Sequence, residues 1–194
     1  MQVLFATKNY GKLREVADIM NCSKIQILSL RGIEDIPHVV EDGLTFEENA
    51  RKKARIYFDY FKIPSVADDS GLEVDQLNKA PGIYSARFAG IDASDRENNK
   101  KLILELRKFK EPHTARFICC TAFYDGNKFL VSHGTVEGKI VEVPRGENGF
   151  GYDPYFIPAG FKKTMGELDL SIKNTISHRS KAFKALKELI EKHF

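Results

Sequence analysis

The chain opens Gln2-Val3-Leu4-Phe5-Ala6-Thr7-Lys8-Asn9-Tyr10-Gly11-Lys12-Leu13: an apolar run, a polar turn and the first residues of a helix. Beyond it Leu13, Val16, Ile19 and Met20 recur at helical spacing, so the hydrophobic period changes across the turn. Strand, turn and helix in that order make up the opening unit. Ile25 to Leu30 reads as a second strand, and residues 31–44 as irregular and acidic, ending Glu41-Asp42-Gly43.

Further on, Thr45-Phe46-Glu47-Glu48 reads as a capping box. The helix it starts carries Phe46, Ala50, Ala54, Tyr57 and Phe61 on one stripe, with Lys53 on or beside it and Asn49 one turn earlier. A lysine flanking a buried face either snorkels or meets an anion. Ile63 to Val74 reads as strand, acidic turn (Asp68-Asp69-Ser70-Gly71) and strand, and Ala80 to Arg87 as a loop because of its Pro-Gly pair. Ser94-Asp95-Arg96-Glu97 opens another helix. Ala115–Tyr124 and Lys128–Val136 form a hairpin about Asp125-Gly126-Asn127, and Lys139–Val143 extends the sheet. A final helix runs from about Arg179 to His193.

The 194 residues are 42% hydrophobic and 29% charged, with 14 Phe and 7 Tyr, which is enough apolar surface for a core and excludes a disordered chain. One domain of two lobes, spanning residues 1–194, is expected. Thirty basic against 27 acidic residues leave a net charge of +3 with the signs mixed, so no nucleic-acid partner is expected. No apolar run reaches the roughly 20 residues that span a bilayer, and the first residues lack a basic signal-peptide start; the expectation is a cytoplasmic protein without a membrane partner. Cys22, Cys119 and Cys120 form no CxxC pair, and adjacent Cys119 and Cys120 would point to opposite faces of a strand.

Four constellations could do chemistry. Thr7-Lys8-Asn9-Tyr10-Gly11-Lys12 joins strand to helix, where free N–H groups and the helix dipole suit a phosphate, although the P-loop pattern fails. Adjacent Asp68 and Asp69 repel unless a cation intervenes, an arrangement suited to Mg²⁺ or equally to a polar turn, and Glu41 could add a metal oxygen. Gly149-Phe150-Gly151-Tyr152-Asp153-Pro154 brackets an aromatic ring with glycines, as a base-stacking loop or a core plug would. Lys173 and Ser177-His178-Arg179 place cations at a helix start, which is unfavourable unless an anion or acceptor meets them.

These motifs, with Gly43-Leu44-Thr45-Phe46-Glu47-Glu48-Asn49-Ala50, Ala67-Asp68-Asp69-Ser70-Gly71-Leu72 and Ala80-Pro81-Gly82-Ile83-Tyr84-Ser85-Ala86-Arg87, are similar in content and order to those of the inosine triphosphatase family. The likeness runs nearly end to end. It implies an α/β fold with a long mixed β-sheet and helical lobes flanking a central substrate cleft, and a homodimer. The implied activity is Mg²⁺-dependent hydrolysis of non-standard purine nucleoside triphosphates (ITP, dITP, XTP) to the monophosphate and pyrophosphate. By the same resemblance Thr7, Asn9, Lys12 and Lys53 hold phosphates; Glu41 and Asp69 hold the metal, with Asp68 in support; and Asp69 is the general base. Ser70 contacts substrate, Phe150 stacks on the purine with Gly151 and Tyr152 in the same turn, and Asp153, Lys173, His178 and Arg179 surround the base. Lys8 stands where the family often has a small residue and receives no role. Two other readings stay open: a pyrophosphatase for other modified nucleotides, and a non-catalytic nucleotide- or RNA-binding module, which would leave Glu41, Asp68 and Asp69 without a task.

Overall fold

The first strand, β1 (Gln2–Phe5), has parallel neighbours on both sides, β2 (Gln26–Ser29) and β3 (Ser65–Val74), and its Val3, Leu4 and Phe5 are buried accordingly. A strand covered on both faces needs such an unbroken apolar run. The computed structural model describes residues 1–20 and 24–194, so Cys22 lies outside the described residues. The remaining elements are α1 (Tyr10–Met20), α2 (Phe46–Phe61), α3 (Asp95–Leu106), β4 (His113–Tyr124), β5 (Phe129–Ile140), β6 (Phe156–Pro158), α4 (Leu170–Ile176) and α5 (His178–His193). The strands form one six-stranded sheet in the order β2-β1-β3-β4-β5-β6. Because β6 is antiparallel to β5, the sheet is mixed, as expected of this α/β chain.

The chain divides into two compact units, residues 1–69, 119–134 and 179–194 in the first, and residues 70–118 and 135–178 in the second. In the first unit one cluster joins Val3, Phe5, Val16, Met20, Val66, Phe123, Phe183 and Leu186, and a second joins Leu4, Ala6, Ala50, Ala54, Ala67, Cys120 and Ala122. Alternate residues of β1 and β3 thus face α1 and α5 on one side and α2 on the other. The second unit has its own core of Leu72, Val74, Leu102, Leu106, Phe117, Ile140, Phe156 and Met165. No helix among the described residues is long and apolar enough to cross a membrane.

Three local expectations change. Asp68-Asp69-Ser70-Gly71 is not a turn but the middle of the continuous strand β3. In a strand the two carboxylates point to opposite faces, which relieves the repulsion that suggested a turn. Residues Gly82–Arg87 form a 3-10 helix rather than an open loop. At the start of α3, Ser94 and Glu97 make both reciprocal bonds of a capping box. Thr45 accepts from the Glu48 N–H, but the Glu48 carboxylate reaches the Leu44 N–H at 2.7 Å rather than the cap residue's own.

Candidate active site

The turn after β1 is built by its own side chains. Thr7 Oγ1 accepts from the Asn9 N–H at 3.1 Å, and Asn9 Oδ1 accepts from the Lys12 N–H at 3.1 Å, capping α1. The cap faces the Asn9 oxygen into the helix and leaves its amide nitrogen as a donor. Thr7, Lys8, Asn9 and Tyr10 line a cavity of about 400 Å³ together with Ser29 and Arg31. Lys12 reaches across to β3, where its Nζ lies 3.0 Å from Asp68 Oδ2.

Asp68 is heavily compensated. Besides Lys12 it meets Arg179 Nε at 3.2 Å, and Cys119 Sγ lies 3.9 Å from the same oxygen. Burial alone would raise its pKa, but Lys12, Arg179 and Lys53 outweigh that and hold it far below the ordinary carboxylate range. Arg179 also donates from Nη1 to Glu15 Oε2 at 2.6 Å. These contacts answer the cation at the start of α5 that looked unfavourable in the sequence: its guanidinium is only 2% exposed, but it sits against two carboxylates.

On the opposite face of β3, Asp69 points to α2. Asn49 Nδ2 donates to Asp69 Oδ2 at 2.9 Å, while Asn49 Oδ1 accepts from the Gly43 N–H at 2.8 Å. The amide is thereby fixed with its donor toward the carboxylate. A side chain at position 43 would obstruct this, since a Cβ there would stand 2.7 Å from Asn49 Oδ1. One turn along α2, Lys53 Nζ lies 2.6 Å from Glu41 Oε1. Burial works to lower the Lys53 pKa, but Asp69, Glu41 and Asp68 raise it, so it stays a cation. Asp69 is displaced upward, first by burial and then by Glu41, against the pull of Lys53.

The second unit gathers the aromatic turn. Asp153 Oδ2 accepts from the Phe150 N–H at 2.9 Å and from Lys173 Nζ at 2.7 Å, and that ammonium stands 5.2 Å from the centre of the Phe150 ring. Gly149 has φ +83°, and a Cβ there would lie 2.1 Å from Asp153 Oδ2, so only glycine fits. Gly151 is clamped by α3: its N–H donates to Asp95 Oδ2 at 2.7 Å and its carbonyl accepts from Asn99 at 2.8 Å. Tyr152 turns inward and donates its hydroxyl to the Ser85 carbonyl at 2.8 Å, bracing the turn. His178 stacks on Phe117, ring centres 4.7 Å apart and planes 12° from parallel. Ser70, the first residue of this unit, is half-buried on β3.

The expected residues therefore fall into two groups: Thr7, Asn9, Lys12, Glu41, Lys53, Asp68, Asp69 and Arg179 in the first unit, and Ser70, Phe150, Gly151, Tyr152, Asp153, Lys173 and His178 in the second. Arg179 stands with the carboxylates Asp68 and Glu15. Two contributors escaped the sequence reading as site residues. Glu15 gave no signal beyond lying three residues past Lys12 on the same helix; Asn49 gave one, its position a turn ahead of Lys53.

Residues 3–189 match the Ham1 family. The chain is 47% identical over 189 residues to a dITP/XTP pyrophosphatase of Geobacter sulfurreducens, covering 96% of this chain and 95% of that protein. It is 41% identical over 199 residues to the dITP/XTP pyrophosphatase of Aquifex aeolicus, covering 98% and 97%. A solved HAM1 protein from Coxiella burnetii superposes with a TM-score of 0.90 at 36% identity, covering 99% of each chain. The Staphylococcus aureus Ham1 protein does so with a TM-score of 0.88 at 36% identity over the whole of both chains. With residues 3–189 matched and with relatives at 41–47% identity over nearly the whole chain, the chain belongs to the Ham1 family.

Proposed function

We propose that this protein hydrolyses non-standard purine nucleoside triphosphates (dITP, XTP and ITP) at the α–β phosphoanhydride, releasing the monophosphate and pyrophosphate and so clearing such nucleotides from the pool. Relatives named dITP/XTP pyrophosphatases match it over nearly their whole length, which also supports reading residues 1–194 as one pyrophosphatase domain. The observation that carries the proposal is the buried charge cluster about Asp68 and Asp69. Asp68 meets Lys12 and Arg179, Glu15 meets Arg179, Glu41 meets Lys53, and Asp69 lies within the electrostatic reach of Lys53.

Carboxylates supply hard oxygen donors, which fit a Mg²⁺ ion. Glu41 and Asp69 would hold it with Asp68 alongside, and when bound it supplies positive charge at the phosphoryl oxygens. Thr7, Asn9 and Lys12 bind the phosphate chain, and Lys53 neutralises charge on the leaving pyrophosphate. Asp69 takes the proton of the attacking water as the new P–O bond forms at the α-phosphorus and the α–β bridge breaks. The Asn49 amide keeps the carboxylate in place.

Ser70, Phe150, Gly151, Asp153, Lys173 and His178 form the base-recognising set. Phe150 offers a face for stacking, and Asp153 fixes the Lys173 ammonium over that ring. A cation there favours a 6-oxo acceptor over the 6-amino donor of adenine; a buried donor facing a donor costs on the order of 1–3 kcal/mol. Arg179 holds Asp68, as its two ion pairs support. A cytoplasmic homodimer completes the reading, and light scattering on a sizing column measures the mass against the 22.0 kDa chain.

The test is product analysis with XTP, dITP, ITP, GTP and ATP, with and without Mg²⁺. Metal-dependent pyrophosphate and monophosphate from the first three, with little from ATP, is the expected result. Orthophosphate and diphosphate products would place attack at the γ-phosphorus and defeat the assignment.

A further inference from the structure

His113 opens β4 in the second unit and is 1% exposed, yet among the described residues neither ring nitrogen has a hydrogen-bond partner. A buried imidazole presents at least one donor and, when neutral, one acceptor, and leaving both unmet is strongly disfavoured. Two carboxylates stand beside it. Glu111 comes from the segment leading into β4, and Glu142 lies just past the end of β5. One oxygen of each and one His113 nitrogen all lie within 4.8 Å of one another, with no hydrogen bond or ion pair joining His113 to either. Two metal–ligand bonds of about 2.1 Å that meet at an ion hold their ligand atoms roughly 3.4–4.2 Å apart, inside that bound.

We propose that Glu111, His113 and Glu142 form a site for a divalent transition-metal ion of the Zn²⁺ class, separate from the carboxylates Asp68 and Asp69. One imidazole and two carboxylates suit Zn²⁺ better than Mg²⁺, because the nitrogen ligand favours the softer ion. Both glutamates are exposed and rotatable, so they can adjust their carboxylates to an ion. The Arg107 guanidinium, 3.6 Å from Glu142, is itself largely exposed and competes only weakly for that carboxylate. A second trio, Glu47, Cys120 and His133, offers ligand atoms at similar spacing in the first unit. It is less suited: burial pushes the Cys120 thiol up to about 12, and Arg51 occupies Glu47 at 2.7 Å. An ion on His113 would tie the start of β4 to the chain leaving β5, closing the open end of that hairpin.

The experiment is equilibrium dialysis of the metal-free protein against Zn²⁺ in excess Mg²⁺, read by elemental analysis, with Co²⁺ absorption as a probe of nitrogen ligation. The proposal expects one Zn²⁺ retained per chain and a Zn²⁺-dependent rise in Tm. It expects His113→Asn, and separately the surface pair Glu111→Gln with Glu142→Gln, to weaken binding by roughly tenfold or more. The glutamine pair guards against a His113 variant that does not fold. No retained Zn²⁺ in the unaltered protein overturns the proposal. So does retention that survives both sets of substitutions, or that is lost instead in Cys120→Ser or His133→Asn.

Discussion

Arg179 and Asp68, far apart in sequence, meet through Nε and Oδ2 at 3.2 Å in the interior of the first unit. The same guanidinium holds Glu15 at 2.6 Å, so the first turn of α5, the middle of β3 and the second turn of α1 are joined at one planar group. A fork that binds two carboxylates at fixed angles is a task for arginine rather than lysine.

Arg179→Ala removes one partner of a buried network and leaves Glu15 without its guanidinium. The expected loss is about 3–5 kcal/mol of stability, read by denaturant unfolding, with turnover of every nucleotide falling together. Arg179→Lys restores charge without the fork and recovers only part of both. A changed XTP-to-ATP ratio with unchanged stability would instead return Arg179 to the base, the role that resemblance assigns it.

Asp69→Asn keeps the shape and the contact with Asn49 but removes the base. Turnover falls by about 10²–10⁴ while nucleotide binding by calorimetry persists. Rates like those of the unaltered enzyme would disprove the role.

Gly43→Ala should resemble Asn49→Ala, because the added methyl displaces the amide that holds Asp69. Each is expected to lower kcat by about tenfold or more with a smaller change in KM. A Gly43→Ala enzyme at full activity would show that the amide does not position Asp69.

The thiols report on the fold. Cys119 is pushed well above the ordinary range by burial and by Asp68, and Cys120 to about 12 by burial, Glu47 and Asp69. At pH 8 only about one Cys120 in ten thousand is then a thiolate. In a Cys22→Ser background the native protein should resist thiol reagents and yield two reactive thiols on unfolding; rapid native labelling would contradict the burial.

Asp125, at the β4–β5 turn, is nudged upward by burial, but the Lys128 and Asn127 N–H groups and His193 outweigh that and lower its pKa. A carboxyl depressed on folding contributes stability above its unfolded value of about 3.9 and loses it as pH falls through the folded value. Asp125→Asn should therefore cost about 1 kcal/mol at neutral pH and progressively less as the pH falls. A difference independent of pH would exclude the charge as its source.

Much of this was legible in the sequence because hydrophobic period reports burial directly: α1, α2, α3, α5 and the β4–β5 hairpin follow it. Leu170–Ile176 was missed, since seven residues give barely two turns of pattern. Asp68-Asp69-Ser70-Gly71 has the composition of a turn, and only tertiary partners on two faces keep it extended. Motif residues such as Lys12, Lys53 and Asp69 announced themselves through local context. Glu15 and the pairing of His113 with Glu142 did not, because their neighbours come from distant parts of the chain.

Asn49 and Lys53 are spaced by a single turn of α2, with Thr45 fixing where that helix begins. Each residue inserted or deleted between Thr45 and Lys53 would rotate the remainder of the helix by about 100° and shift it by about 1.5 Å. The segment therefore tolerates exchange of its solvent-facing side chains but no change of length. Natural variation in chain length among functional variants should fall elsewhere.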